Sequence, residues 1–179
     1  MPFLKTAIEG LLLFEPRLFE DERGYFYESF NQKEFYNATC IDLPFVQDNH
    51  SLSKFGVIRG LHFQKPPFEQ AKLIKVIRGK IFDVAVDIRP DSPTYGKWLG
   101  FELSAENKKQ LYIPRGFAHG FVVLSEWAEV LYKCDNYYAP QAEGGIIYND
   151  KTLQIDWQVE SKDIIVSTKD SLLPAFQGG

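Results

Sequence analysis

The chain has 179 residues, of which 45% are hydrophobic and 25% charged, and it contains no low-complexity tract. That length buries one substantial core and is short for two, so a single domain over residues 1–179 is expected. The formal net charge of −4 argues against a general nucleic-acid or membrane-surface role, both of which need a basic field, so an anionic ligand would have to be held by a local group of Arg and Lys.

Residues Met1 to Gly10 carry Lys5 and Glu9 and no long apolar region, and no stretch approaches the ~18 apolar residues of a membrane span, so neither a leader nor a membrane anchor is expected. Strand signals dominate from there on. Gly24–Phe30 reads as a strand, followed by one short helix over Gln32–Asn37, with Asn31 and Glu34 in capping-box positions. Further strands are predicted at Val57–Phe63, Lys72–Ile77, Ile81–Arg89, Trp98–Leu103, Gln110–Ile113, Gly120–Leu124, Glu129–Cys134 and Ile164–Val166. Ile81–Arg89 alternates most regularly, with Phe82, Val84, Val86 and Ile88 on one face and Asp83, Ala85, Asp87 and Arg89 on the other, the pattern of a half-buried strand. Turn clusters separate these runs at Arg78-Gly79-Lys80, Arg89 to Pro93 and Ser104 to Asn107. Many short strands with few crossover helices predict a mainly β fold, an antiparallel sandwich or barrel with a few short helices, and a jelly roll is the version that commonly encloses a ligand cavity. Cys40 and Cys134 form no CxxC pair and no metal-ligand spacing; they read as reduced thiols of a cytoplasmic protein.

Two of the three histidines lie in glycine-framed motifs, Gly60-Leu61-His62-Phe63-Gln64 and Pro114 to Phe121 around His119. Imidazole suits proton transfer near neutral pH, and glycine lets backbone or ligand approach closely, so the pair points to a pocket, although either alone reads equally as a satisfied core histidine. The spacing Pro114, Gly116, His119 matches the second histidine motif of the cupin superfamily, and Gly56 with His62 resembles the start of the first. A metal-binding cupin has a second histidine where this chain has Gln64, with only Glu69 downstream as a carboxylate. An amide is a poor substitute for imidazole, so no metal is expected, and His62 is left free to act as a base.

Outward from these motifs the chain resembles the dTDP-4-dehydrorhamnose 3,5-epimerase family of metal-free cupins. The resemblance is carried by Asp21 to Glu28, Phe45 to Ser51, Gly56 to Gln64, Gln70 to Leu73, Ile81 to Arg89, Pro114 to Phe121, Leu131 to Lys133 and Ser167 to Asp170, in the family's order through nearly the whole length. It implies a cupin-type jelly roll acting without a cofactor on the small molecule dTDP-4-keto-6-deoxyglucose, inverting carbons 3 and 5 on either side of the ketone. A ketone acidifies both neighbouring carbons, so inversion needs a base on one face, an acid on the other, a cation at the oxyanion and anchors for the nucleotide.

His62 matches the family's base. Asp170 would orient it; by residue type alone Asp170 reads first as a solvated charge, and the resemblance reverses that. Tyr132 matches the acid, one tyrosine of nine, on the Leu131-Tyr132-Lys133 match. The following Cys134 to Tyr138 departs from the threonine-rich version common in the family, which bears on the placement of Tyr132 and Tyr138. Lys72, between Ala71 and Leu73, is the candidate cation at the carbon-4 oxygen, and a lysine on an exposed strand face is the plainer reading. Arg23 and Arg59 suit bidentate contact with the diphosphate. Glu28, Gln47, Asp48, Asn49, His119, Glu143 and Lys169 match positions that contact nucleotide or sugar, and Tyr138 the one that stacks on thymine. The resemblance also implies a homodimer in which part of Arg23 to Glu28 reaches the neighbouring subunit's site. A single or different carbon change on a similar scaffold, and a non-catalytic sugar-nucleotide-binding jelly roll, are the alternatives. One difficulty stands: Arg59 and His62 are three apart and belong on opposite faces of a regular strand, unless Gly60 marks a bulge.

Overall fold

The structure, a computed structural model, describes residues 3–177, and its regular structure is mainly antiparallel strands. In chain order these are β1 (Phe3–Lys5), β2 (Leu12–Phe14), β3 (Phe19–Asp21), β4 (Gly24–Phe26), β5 (Gln47–Lys54), β6 (Ile58–Gln64), β7 (Lys72–Arg78), β8 (Lys80–Asp87), β9 (Trp98–Ser104), β10 (Gln110–Ile113), β11 (Phe117–Val123), β12 (Trp127–Cys134) and β13 (Glu143–Gly145), with helices α1 (Gln32–Thr39) and α2 (Thr168–Ser171). One sheet runs β1-β2-β10-β7-β12-β5 and the other β13-β6-β11-β8-β9, while β3 and β4 form a separate hairpin. This is the expected jelly-roll sandwich.

Three apolar clusters hold it together. Between the sheets, Ile74, Val76, Ile81, Ala85, Leu111, Phe121 and Val130 form the main core. Behind the second sheet, Phe82, Val84, Val86 and Ala118 are covered by Ile146, Leu153 and Trp157 of the C-terminal segment. Behind the first, Phe35 of α1 packs on Leu73 and Tyr112. Asn31 caps α1 as expected, its side chain accepting from the Lys33 and Glu34 N–H groups, which satisfies donors that a helix start leaves orphaned.

Several expectations are corrected. β8 is buried on both faces, not half-buried, because the C-terminal segment covers the face that would otherwise meet water; Asp83 and Asp87 are fully buried. The strand ends at Asp87, whose carboxylate accepts from Arg89, Ser92 and Thr94 and folds the next residues into a turn. The first predicted strand shortens to Gly24–Phe26, and Ile164–Val166 reduces to a bridge between Val57 and Ile165. The helix continues to Thr39 and β11 begins at Phe117. β5, wholly unanticipated, is Gln-Asp-Asn-His-Ser-Leu-Ser-Lys in full register with β12. It has no apolar alternation, because its inner face looks into a polar cavity.

The strand geometry places that cavity. Along the inner face of β7 the residues pass from Lys72 to Ile74 and Val76, and along β12 from Tyr132 to Val130 and Ala128. Apolar packing therefore fills one part of the space between the sheets and stops where the inward residues become polar.

Candidate active site

His62 stands on β6 with its side chain one-third exposed, and its Nε2 lies 2.7 Å from Asp170 Oδ1. The Asp170 side chain is buried and its second oxygen accepts from the Gly60 N–H. Asp170 is delivered by α2, which Ser167 caps by accepting from the Asp170 N–H. The Asp170 contact commits Nε2 and leaves Nδ1 as the ring atom without a partner among the described residues. A neutral imidazole that donates from Nε2 presents Nδ1 as an acceptor, the state a base requires.

The parity difficulty resolves at Gly60. In the β6–β11 ladder, His62 pairs with His119 and Arg59 with Phe121, so three steps on β6 oppose two on β11. The extra residue is a bulge, and Gly60 at φ +127° sits in it against Gly120. Arg59 and His62 thereby line the same cavity, about 500 Å³ in volume. Ser53 holds Arg59 by accepting from its Nε at 2.9 Å.

A second cavity of about 330 Å³, lined by Gln47, Asn49, Gln70, Tyr138 and Glu143, adjoins the first. The residues the two share are His62, Lys72 and Tyr132. His62 comes from one sheet and Lys72 and Tyr132 from the other. Burial raises the Tyr132 phenol above its ordinary value, so it is protonated at neutral pH. Burial pulls the Lys72 ammonium down, opposed by Cys134, Asp83 and Glu143. The Cys134 thiol is itself pushed up to about 11 by burial and is neutral near pH 7, so Asp83 and Glu143 are the anions that favour the charged lysine.

The family model for dTDP-4-dehydrorhamnose 3,5-epimerase matches residues 5–178. The chain belongs to that family. A relative of that name from Shigella flexneri is 55% identical over 95% of this chain and 93% of its own length. The crystal structure of the enzyme from Elizabethkingia anophelis superposes with a TM-score of 0.96 at 54% identity, covering 98% of this chain and 96% of that one. A Legionella pneumophila 3,5-epimerase in complex with dTDP-4-keto-L-rhamnose gives a TM-score of 0.91 at 47% identity over 99% of both chains.

Among the residues the resemblance to the 3,5-epimerases singled out, His62, Lys72, Tyr132, Asp170, Arg59, His119 and Lys169 meet in the first cavity and Gln47, Asn49, Tyr138 and Glu143 in the second. At the mouth, Glu143 accepts from the Tyr138 hydroxyl at 3.0 Å and from Lys169 at 2.6 Å, and the Lys169 ammonium holds the Glu143 carboxyl below its ordinary value. Three residues lie elsewhere. Asp48 is on the outer face of β5, paired with Lys133 at 3.0 Å, because successive strand residues point to opposite sides. Arg23 is exposed and pairs with Asp21 in the β3–β4 turn, and Glu28 accepts from Asn31.

Gln64, at the position of a cupin's second metal-binding histidine, has its amide fully engaged by backbone: it donates to Phe68 and Tyr137 and accepts from the Ala139 N–H. Among the described residues no group of three or more His, Cys, Asp or Glu is arranged to hold a metal ion, and no helix is long and apolar enough to cross a membrane.

Sequence reasoning missed Ser51 and Asp83 as site residues. Ser51 lines the first cavity with a buried, unpartnered hydroxyl, and Asp83 lies 2.7 Å from His119 Nε2. The alternation of β8 was visible and set Asp83 opposite the apolar face; nothing local said that His119 of the neighbouring strand would meet it there. The Ser167-x-x-Asp170 spacing is a capping signature and could have placed Asp170 at a helix start.

Proposed function

We propose that this chain inverts carbons 3 and 5 of dTDP-4-dehydro-6-deoxy-D-glucose to give dTDP-4-dehydro-L-rhamnose, a step in dTDP-L-rhamnose synthesis. The observation that carries this reading is the wall common to both cavities, where His62 and Tyr132 project from facing sheets with Lys72 beside them. Membership of the 3,5-epimerase family and the sugar nucleotide bound by the Legionella relative support it.

In this reading His62 Nδ1 takes the proton from a carbon next to the ketone, and buried Asp170 stabilises the imidazolium through Nε2. The electron pair moves into the carbonyl as an enolate, whose oxygen the Lys72 ammonium favours over the neutral ketone. Tyr132 then gives its phenolic proton to the opposite face of that carbon, inverting it. Each inversion leaves histidine protonated and tyrosine ionised, so the pair resets through solvent before the second carbon reacts. Arg59 and Lys169 hold the diphosphate, His119, Gln47, Asn49 and Glu143 hold sugar or base, and Tyr138 stacks on thymine.

Incubation with the substrate in deuterated buffer tests the proposal. Solvent label at both carbons with changed configuration supports it; label at one carbon indicates a mono-epimerase, and none indicates a binding protein.

We further infer a homodimer in which the β3–β4 arm serves the neighbouring site. Phe19, Tyr25 and Phe26 are exposed on this hairpin, more apolar surface than an isolated arm should offer to water, and Arg23 and Glu28 line neither of the two cavities that share His62. The free thiols of Cys40 and Cys134 fit a reducing compartment, and on that ground we assign the protein to the cytoplasm.

A further inference from the structure

His62 and His119 face each other as paired residues on β6 and β11, and each places Nε2 at 2.7 Å from one oxygen of a buried aspartate. The first aspartate is accounted for by the base. The second, Asp83, is not.

Asp83 is fully buried on the inner face of β8, the face whose neighbours Ile81 and Ala85 belong to the apolar core. A carboxylate there is costly unless its charge is compensated. One oxygen meets His119; the other, Oδ2, is buried without a hydrogen-bond partner among the described residues. A buried polar atom left unsatisfied in a native fold calls for a reason, and catalytic sites are a common one.

The reason lies on the facing sheet. Lys72, on the opposite sheet, has no hydrogen-bond partner among the described residues for its ammonium, and Asp83 is one of the negative groups acting on it. The groups around Lys72 can be taken element by element. From β6 come Arg59 and His62, the latter bound to Asp170 of α2, and from α2 also Lys169, which is bound to Glu143 of β13. From β12 come Tyr132 and Cys134, both protonated near neutral pH because burial raises them. Asp170 and Glu143 thus have both carboxylate oxygens hydrogen-bonded, whereas Asp83 Oδ2 has no partner among the described residues.

We propose that Asp83 is a positioning residue for the cationic side of the site: Oδ1 fixes His119 with its proton on Nε2 and Nδ1 turned to the substrate, and Oδ2 keeps the Lys72 ammonium charged for the enolate. This inference rests on the epimerase reading. It differs from a packing role in what it moves, since a packing residue alters stability without altering a titration.

Histidine-selective nitrogen NMR of the wild-type protein near neutral pH is the first test. The expected spectrum has the His119 proton on Nε2, alone or with a second on Nδ1; a proton on Nδ1 alone overturns the proposal. In Asp83→Asn the amide can accept from or donate to the ring, so the fixed tautomer is lost, and Lys72 loses a group that favours its charged form. Its ammonium then deprotonates at lower pH, so the alkaline limb of kcat moves to lower pH. kcat itself falls about 10- to 100-fold, the scale seen when a carboxylate behind a functional imidazole is removed. A folded Asp83→Asn enzyme with wild-type kcat and an unmoved alkaline limb overturns the proposal. If that variant does not fold, the wild-type spectrum decides. Failure of wild type to exchange substrate hydrogens would remove the epimerase reading, while the His119 spectrum still reports on Asp83 by itself.

Discussion

The cavity wall and the β3–β4 hairpin both carry residues that match the 3,5-epimerases, yet they are held in different ways. In the cavity three functional side chains are held by a buried or inward-facing partner from another element: Asp170 for His62, Asp83 for His119, Ser53 for Arg59. On the hairpin, Arg23 is 83% exposed and bonds only to Asp21, two residues away. A side chain locked by burial is preorganised before substrate arrives; one held by its own turn pays ordering entropy when it binds. The cavity residues are fixed within one chain, whereas the hairpin residues are held only by their own turn.

The sharpest break of that comparison is chemical. His62→Ala should reduce solvent exchange at both carbons by about 10²- to 10⁴-fold, the range of a positioned general base, read by mass spectrometry of substrate recovered from deuterated buffer. Full exchange in that variant would remove His62 as the base. Tyr132→Phe should differ in kind: His62 can still remove a proton and return it to the same face, so label enters while the sugar configuration stays unchanged. Proton NMR of the recovered sugar separates the two outcomes, and net inversion by Tyr132→Phe would assign the acid elsewhere.

Next comes the arm. Arg23→Ala and His62→Ala chains should each be nearly inactive as pure proteins. Co-expressed, they should recover activity, because a mixed dimer contains one site with an intact His62 from one chain and Arg23 from the other. Mixed dimers isolated with two affinity tags and found inactive would place Arg23 outside the neighbouring site.

Two glycines give a matched pair for stability. Gly60 and Gly24 have φ of +127° and +122°, values that L side chains rarely adopt. A Cβ on Gly60 would lie 2.5 Å from Gly120 Cα, whereas one on Gly24 meets nothing within 4 Å. Gly24→Ala should therefore show only the backbone cost, about 1–3 kcal/mol. Gly60→Ala adds a backbone collision and should lower the melting midpoint well below that of Gly24→Ala. Equal midpoints would mean that the bulge yields freely. At the small end, Lys162→Ala removes an exposed pair with Glu160 and should leave the midpoint nearly unchanged.

Where apolar residues alternate or caps have their usual spacing, local chemistry was enough to find the elements: α1 behind Asn31, β10 over Gln110–Ile113, and β7, β9 and β12 to within two residues at each end. β5 escaped because its alternation is polar against polar, a pattern that only the facing cavity explains. Asp48 shows the cost: had β5 been seen as a strand, its neighbours Gln47 and Asn49 could not have shared a face with it. The arm's expected role came from the resemblance alone, since periodicity within one chain carries no information about contacts with a second copy.

The sequence by itself settled which chemical groups this protein has and much of its strand content, because side-chain type and period-two patterning are local properties. It also set Gln64 where a metal site would need imidazole. The tertiary structure decided which aspartate meets which histidine, 108 positions apart for His62 and 36 for His119, and that a bulge turns Arg59 and His62 to one side. Such pairings exist only once the strands of a sheet have paired and α2 has packed against β6, since the separations in sequence carry no information about which elements become neighbours.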